Sequence, residues 1–331
     1  MFRYVIRRIL ISIPILGIGS FLAYLMVAAA GDPIAEMRMN PNVSEEVIAA
    51  TARELGLDQP ILVRYWDWLV NFVQGDWGTS VALGSAQVDV YDQVMRAFGV
   101  TFRLVLGAEL LAITLGIAVG VFTAVKQYSI FDYAATTVAF MMFSMPLFCV
   151  AILLKTYGIQ FNDLLVSLGG ERWLRTIPPA RGFQGDFGEQ FFQYTGTYLL
   201  PTISLMLISF AAYSRFQRSA MLETLGSDYV RTARAKGLRP GRVIFRHAFR
   251  NALIPVTTLI SLNFGAVLGG AIMTEQVFGW SGMGNLLVNA VQQHDAPMLM
   301  GWLMVTAIIT VLFNLVADIV YGFLDPRIRI G

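Results

Sequence analysis

The chain is apolar and weakly charged. Its 331 residues are 56% hydrophobic and 14% charged, whereas soluble domains are about 45–50% apolar and about 25% charged, so the composition predicts a membrane protein. The net charge of +2 gives no reason to expect a nucleic-acid partner. The single cysteine, Cys149, excludes an internal disulfide and a cysteine-based metal site.

Six apolar stretches predict an all-α polytopic membrane protein, because a helix needs about 20 such residues to cross a bilayer. Pro201 and Pro255 lie near predicted helix starts, where a missing N–H costs little. Pro146 lies in mid-span and predicts a kink. The expected spans are 9–29, 102–125, 133–154, 198–214, 253–273 and 300–323.

The first span has an alternative interpretation as a signal peptide. Arg3, Arg7 and Arg8 precede an apolar run that ends in "AAAG", like a cleavage site. The run is about 20 residues long, whereas signal peptides have about 7–15. We therefore expect a retained membrane helix.

The distribution of Lys and Arg predicts the orientation of the spans. With the N-terminus inside, 15 of the 24 basic residues fall in inside segments, including nine between Arg215 and Arg250. The outer segment 31–97 has ten acidic and four basic residues. Both termini are therefore expected in the cytosol.

Residues 31–97, the acidic segment, predict a small helical subdomain outside the membrane. Ser44 is a plausible N-cap for "EEVIAATARELGL", and Gly56 a natural stop. "ILVRYWDWLVNFV" predicts a second, amphipathic helix with Trp66, Leu69, Val70 and Val73 on one face. A further outer loop, 158–197, is expected to be irregular.

Residues 227–256, the basic segment, predict two helices between apolar spans. Ser227 and Asp228 suit a helix start, and Gly237 suits the left-handed residue after a helix. Tyr229, Val230, Ala233 and Gly237 share a shallow face that another protein could approach. A topology signal alone explains the positive charge but does not explain the capped helix.

Pro240 predicts the start of the second helix. Arg242, Arg246 and Arg250 recur at every fourth residue, and such like charges repel by roughly 0.2–0.5 kcal/mol per pair. An anionic lipid or protein surface should therefore offset them. Ile244, Ala248 and Ala252 are expected to face the spans.

The basic segment resembles the cytosolic loop of the membrane-spanning subunits of binding-protein-dependent ABC importers. Their Glu-Ala-Ala, three residues, Gly pattern maps onto Arg231, Thr232, Ala233 and Gly237, followed by Pro255. The first two positions and the long gap to Pro255 depart from the general motif but resemble the oligopeptide/dipeptide/nickel branch. The resemblance covers nearly the whole chain through "GDP" at 31–33, "ELGLDQPILVRYWDWL" from 54, "GDWGTS" from 75, "RTARAKGL", "RHAFRNALIPV", "TEQVFGWSGMG" from 274 and "DPRIRIG" at the end.

The resemblance implies a permease with the type I importer fold that has no ATP chemistry of its own. The sequence has no GxxxxGK[ST] phosphate loop. ATP and Mg would be held by two cytosolic ATPases, an external binding protein would deliver substrate, and a homologous second permease would complete the pathway in a bacterial inner membrane. The implied coupling helix comprises Asp228, Tyr229, Arg231, Ala233, Arg234, Ala235, Lys236 and Gly237.

The expected domain organisation has three parts. Residues 1–30 form the N-terminal tail and first span, 31–97 the outer subdomain, and 98–331 the permease core with a cytosolic coupling loop at 216–252. Small or weakly polar residues in the spans are candidates to line the pathway: Ser144, Pro146, Asn263 and Gly265. Such a path suits varied peptides, whereas nickel or another small solute is the alternative.

Two other functions are weighed against transport driven by partner ATPases. "GWSG" at 279–282 matches a short pattern of intramembrane serine proteases, but His247 and His294, the candidate bases, lie outside the spans. Ser281 is therefore expected to be a turn residue.

An ion-driven carrier would place charges in the membrane, and Glu109 and Asp318 are the candidates. Neither belongs to an obvious proton relay, so structural pairing is the preferred interpretation.

Overall fold

A computed structural model of the chain describes residues 2–82, 88–178 and 185–324. Within these ranges the chain is built from α-helices and one π-helical turn. The C-terminal "DPRIRIG" motif, with Arg327 and Arg329, lies outside the described residues. The helices are α1 Phe2–Ala29, α2 Ala35–Met39, α3 Glu45–Glu54, α4 Ile61–Gln74, α5 Val90–Val125, α6 Ile130–Ser144, α7 Leu147–Ser167, α8 Phe187–Leu225, α9 Asp228–Ala235, α10 Pro240–Arg242, α11 Arg250–Gly270, α12 Ile272–Phe278, α13 Met283–Gln292 and α14 Ala296–Leu324.

Five helices in the described ranges are long and apolar enough to cross a membrane. They are Val5–Ala29, Val90–Val125, Leu147–Ser167, Phe187–Leu225 and Ala296–Val320. The helix Ile130–Ser144 is apolar but shorter, and α11 occupies the place of the predicted fifth span. The all-helical membrane fold is confirmed, while the number of six spans stays a prediction.

The predicted span 133–154 was wrong as a single kinked helix. The chain breaks at Met145, which has φ −85° and ψ 133°, and α7 starts after Pro146. A residue before proline is pushed towards extended backbone because it would clash with the proline ring. The break leaves a short α6 and a separate α7 that runs on to Ser167.

The positions expected for Pro201 and Pro255 were also wrong. Both lie inside helices, since α8 begins at Phe187 and α11 continues from the turn that precedes it. The expected irregular loop 158–197 is therefore helical at both ends, over 158–167 and 187–197. Its remaining described part is held by Asn162, whose buried amide accepts from the backbone N–H of Trp173 and Leu174 and donates to the carbonyl of Leu174.

The chain groups into two compact units. One comprises 1–5, 102–280 and 312–331, and the other comprises 6–101 and 281–311. The second unit has its own core around α5, α13 and α14, in which the Trp302 indole N–H donates to the Met283 carbonyl at 2.8 Å. The buried residues of this core are Val90, Val94, Ala97, Met283, Leu286, Ala290, Met298, Trp302 and Val305.

A buried aspartate fixes the start of α14 within the second unit. Asp295 is 2% exposed and accepts from the Ser80 hydroxyl and from the backbone N–H of Val81 and Met298. Burial raises the pKa of Asp295, and these hydrogen bonds partly oppose the increase. The carboxylate thereby joins the 76–81 stretch to the helix start.

The two predicted helices of the acidic segment are confirmed. The Ser44 hydroxyl accepts from the N–H of Val47, and Gly56 has φ +61°. The packed face of α4 differs from the expected one, because Trp66 and Val73 are 63% and 78% exposed. Tyr65, Trp68 and Phe72 instead form ring contacts, and Tyr65 also bonds to α1 through the Gly17 carbonyl.

Helices α5 and α8 cross at very short range in the first unit. A Cβ on Gly120 would lie 2.6 Å from the Ser214 carbonyl oxygen and 2.7 Å from the Gln217 Cβ. A Cβ on Gly116 would lie 2.9 Å from the Tyr213 Cβ. Small residues four apart allow this backbone approach between membrane helices.

Gly120→Ala is expected to destabilise the purified chain in detergent by about 1–3 kcal/mol, because overpacking forces the two backbones apart. Thermal unfolding followed by tryptophan fluorescence would measure this. Gly107→Ala in the same helix is the matched control, since a Cβ there meets nothing within 4 Å. Equal melting temperatures for the two variants would show that the crossing is not tightly packed.

Candidate functional site

Helix α9 starts and stops close to the predicted residues. Ser227 has the extended backbone of an N-cap, Asp228 lies in the first turn, and Gly237 has φ +70°. The expected side-chain cap was wrong, because the Ser227 hydroxyl donates to the Thr224 carbonyl at 2.6 Å. That bond ties the α9 start to the end of α8.

The small face of α9 packs against its own chain. Val230 is 0% and Ala233 5% exposed. The expected open face is therefore wrong for Val230 and Ala233, whereas Tyr229 and Gly237 are exposed. The cluster that covers Val230 and Ala233 contains Ala124, Ala220, Met221, Val243, Ala248 and Ala252.

The exposed residues of α9 and its stop are therefore the ones available to a partner. Tyr229 is 45% exposed, and the other exposed members of the predicted set are Asp228, Arg231, Arg234, Ala235, Lys236 and Gly237. The Asp228–Arg231 pair, at 3.7 Å, is largely in solvent, so it contributes little to stability. We call Tyr229, Arg231, Arg234 and Lys236 the basic face.

A π-helical turn joins α10 to α11 and changes the expected register. Pro240 opens the helix as predicted, but Val243–Phe249 is wound as a π-helix. Val243 and Ala248, five residues apart, are both buried, and Ile244 is only partly buried. The uniform four-residue spacing expected for Arg242, Arg246 and Arg250 thus does not describe one regular α-helix.

A bidentate ion pair anchors α8 just before the basic segment. Arg218 donates from Nε to Asp132 Oδ1 at 2.8 Å and from Nη2 to Oδ2 at 2.9 Å. The Asp132 side chain is 3% exposed and that of Arg218 26%. Asp132 also accepts from the Tyr128 N–H and the Thr136 hydroxyl. Sequence reasoning missed this pair, because the partners are 86 residues apart.

The candidate pathway residues are not gathered into one described site. Ser144 is exposed at the end of α6, and its hydroxyl donates to the Met141 carbonyl. Pro146 is exposed at the α6–α7 break. Asn263 is partly buried and lies near the Tyr213 side chain. Gly265 lies in α11, with its surroundings outside the described side chains.

A buried polar cluster joins α5 to α8 and explains Glu109. This side chain is 1% exposed and accepts from the Ser209 hydroxyl at 2.5 Å and from the Tyr213 hydroxyl at 2.7 Å. Pairing with hydroxyls supports the structural interpretation over an ion-carrier site. Gln217, one turn further along α8, is fully buried, and neither polar atom of its side chain has a hydrogen-bond partner in the described structure.

The residues of the alternative protease site are spread over separate elements. Ser281 is exposed in the connection between α12 and α13, as expected of a turn residue. His247 lies in the π-helical turn, and exposed His294 has φ +51° after α13. In the described ranges, no three His, Cys, Asp or Glu side chains could hold a metal ion.

The fold and the basic segment define a class: a helical membrane protein of the transport-permease type. Residues 116–330 match the family described as binding-protein-dependent transport system inner membrane component, and residues 1–105 match the N-terminal region of such components. The chain belongs to this family. Its members are inner-membrane transport subunits without an enzymatic activity.

Several curated relatives match over their whole length. The chain is 34% identical to the oligopeptide transport system permease protein OppB of Mycobacterium bovis, with 100% of both chains covered. It is 37% identical to the di/tripeptide permease protein DppB of Pseudomonas aeruginosa and to the dipeptide permease protein DppB of Escherichia coli K12, with 99% of each chain covered.

Two solved structures share the fold. The MetNI methionine ABC transporter matches with a TM-score of 0.51 and 17% identity, over 70% of this chain and 96% of that one. An amino acid ABC transporter with histidines matches with a TM-score of 0.50 and 12% identity, over 70% and 93%. These likenesses support the type I permease fold.

Loss of Arg218 is expected to destabilise the chain by roughly 3–5 kcal/mol, because the buried Asp132 carboxylate loses its partner. Loss of Asp132 should cost less, because the Arg218 side chain is 26% exposed. Asp132→Asn and Arg218→Met would test this by thermal unfolding in detergent. Asp228→Asn is the control, since it breaks an exposed pair and should change stability by less than about 0.5 kcal/mol. Similar losses in all three variants would contradict the assignment.

Proposed function

We propose that the chain is one half of the pathway of an ATP-driven importer of short peptides. The observation that carries this proposal is its full-length similarity, at 34–38% identity, to permeases named for oligopeptide and dipeptide transport. A homologous but distinct permease would supply the other half. An external binding protein would deliver peptide, and two cytosolic ATPases would hold ATP and Mg.

In this proposal α9 is the element that receives the motion of an ATPase. The buried Val230 and Ala233 fix α9 to the core of its own unit, while the basic face remains accessible. A push on the basic face therefore moves α9 together with the end of α8. A partner surface that contacts α9 differently in two states biases the equilibrium between two permease conformations.

The proposed orientation places the basic segment and both termini in the cytosol. The acidic segment 31–97 then lies outside, where it can meet the binding protein or cover the pathway entrance. The charge asymmetry between the two segments supports this orientation.

Lys236→Cys in a Cys149→Ala background should react with a membrane-impermeant maleimide in inverted vesicles but not in intact cells. Labelling in intact cells would refute the orientation.

Charge reversal on the basic face should slow peptide uptake without loss of fold. Arg234→Glu and Lys236→Glu alter exposed side chains, so we expect normal membrane levels and melting temperatures but at least about tenfold slower peptide uptake, as expected for an electrostatic contact worth about 1.4 kcal/mol or more. Gly237→Trp should also slow uptake while the protein still inserts in the membrane, because a residue other than glycine is strained at the left-handed helix stop.

The controls separate docking from folding. Arg172→Glu changes an exposed arginine outside the basic and acidic segments and should leave uptake unchanged. Ala233→Trp, which overfills the packed core, should lower stability as well as uptake. Normal transport by Arg234→Glu, Lys236→Glu and Gly237→Trp would exclude α9 as the contact with the ATPase.

The substrate class is tested by uptake of a labelled tripeptide in cells with and without this chain. Unlabelled peptides should compete, whereas nickel and sugars should not. Competition by nickel alone, or uptake that does not require the chain, would refute the peptide assignment. The first outcome would favour the alternative of a nickel or small-solute permease of the same branch.

A further inference from the structure

The second unit contains an open cavity of about 920 Å³. Its walls come from the end of α1, from α3 and α4, from the 76–81 stretch and from the start of α14. Small-molecule sites are typically about 300–1,000 Å³, so the cavity can accept a ligand the size of a short peptide. Its lining includes none of the residues of the proposed coupling helix and none of the candidate pathway residues.

The cavity walls combine aromatic surface with charges of both signs. Tyr24, Trp66, Trp68 and Trp77 contribute rings. The charged lining comprises Asp32, Glu54, Asp67, Asp76, Arg38, Arg53 and Arg64. A surface of this kind suits a zwitterionic molecule with apolar parts, because each charged end finds an opposite charge and the rings accept varied side chains.

Arg64 is the residue that points to a ligand. Its side chain lines the cavity, is partly exposed and forms no ion pair within the described residues. The planar guanidinium is shaped to hold a carboxylate through two N–H groups. A carboxylate in the cavity would give this guanidinium a charged partner.

The charges around Arg64 favour a zwitterion over a simple anion. Asp67 follows Arg64 by three residues on α4, so both project from neighbouring positions of one helix face. Arg38 is already paired with Asp32 at 3.4 Å. The lining has four carboxylates and three guanidinium groups, and this excess of acids opposes a ligand with net negative charge while it favours an ammonium group.

We propose that this cavity is a peptide-binding site on the permease itself, in which Arg64 holds the free α-carboxylate of a short peptide. The acidic lining receives its α-ammonium group, and the tryptophans contact its side chains. An extended tripeptide is about 10 Å long, which the cavity accommodates. The proposal rests on the proposed peptide transport and adds a site outside the membrane spans.

The test is a binding titration of the importer complex, purified in detergent without its binding protein. The probes are trialanine, trialanine amide and N-acetyl-trialanine, followed by quenching of tryptophan fluorescence. Trialanine should bind, whereas the amide, which lacks the carboxylate, should bind about tenfold or more weakly, as expected for loss of a charge-assisted bidentate contact. The acetylated peptide should also bind more weakly than trialanine, but by a smaller factor than the amide.

Variants of Arg64 test whether this residue holds the peptide carboxylate. Arg64→Gln should reproduce the loss seen with the amide, and Arg64→Lys should retain part of the binding. Arg96→Gln, which removes an exposed arginine of the same unit outside the cavity lining, should bind like the unaltered complex. The peptide-amide comparison uses unaltered protein, so it remains decisive even if an Arg64 variant does not fold.

Three results would overturn the site: equal binding of trialanine and its amide, no binding of trialanine, or binding that Arg64→Gln leaves unchanged. Quenching of tryptophan fluorescence by glycerophosphoethanolamine but not by trialanine would assign the cavity to a lipid headgroup and would also refute the proposal. If cells still require this chain for tripeptide uptake, each of these results rejects the cavity site while the proposed transport function stands.

Discussion

The close crossing of α5 and α8 is the contact on which the rest of the first unit depends. Apolar lipid provides no hydrophobic force that drives two membrane helices together, so close packing and hydrogen bonds must hold them. Gly116 and Gly120 permit the approach, and Glu109 adds hydrogen bonds to Ser209 and Tyr213 on α8. Helix α11 packs against α8 as well, with Asn263 near the Tyr213 side chain.

Helix α8 extends this arrangement to the proposed coupling element. Its 39 residues span about 58 Å at 1.5 Å per residue, from Phe187 to the turn that starts α9. Arg218 fixes its last third to the start of α6 through a bidentate ion pair. A displacement of α9 in the proposed mechanism would therefore reach α5, α6 and α11 through packed helices and buried hydrogen bonds.

Local sequence patterns predicted local features well and long-range contacts poorly. Gly237 and Ser44 were identified because helix ends leave backbone groups that only a few residue types satisfy. The face of α4 was misassigned because Trp66 and Tyr65 are both aromatic, and only the contact of Tyr65 with α1 shows which side packs. The π-helical turn and the Asp132–Arg218 pair left no periodic signal.

The amino-acid sequence alone was enough to predict a helical membrane protein, to locate its basic and acidic segments and to recognise the resemblance to importer permeases. Composition, helix periodicity and motif order are local or summed properties, so no coordinates are required to recognise them. Three features are seen only in the folded chain. Val230 and Ala233 pack inward, and Met145 and Pro146 divide a predicted span. Arg64 lines a cavity. These outcomes depend on which distant side chains occupy the neighbouring space, and that depends on how the helices pack.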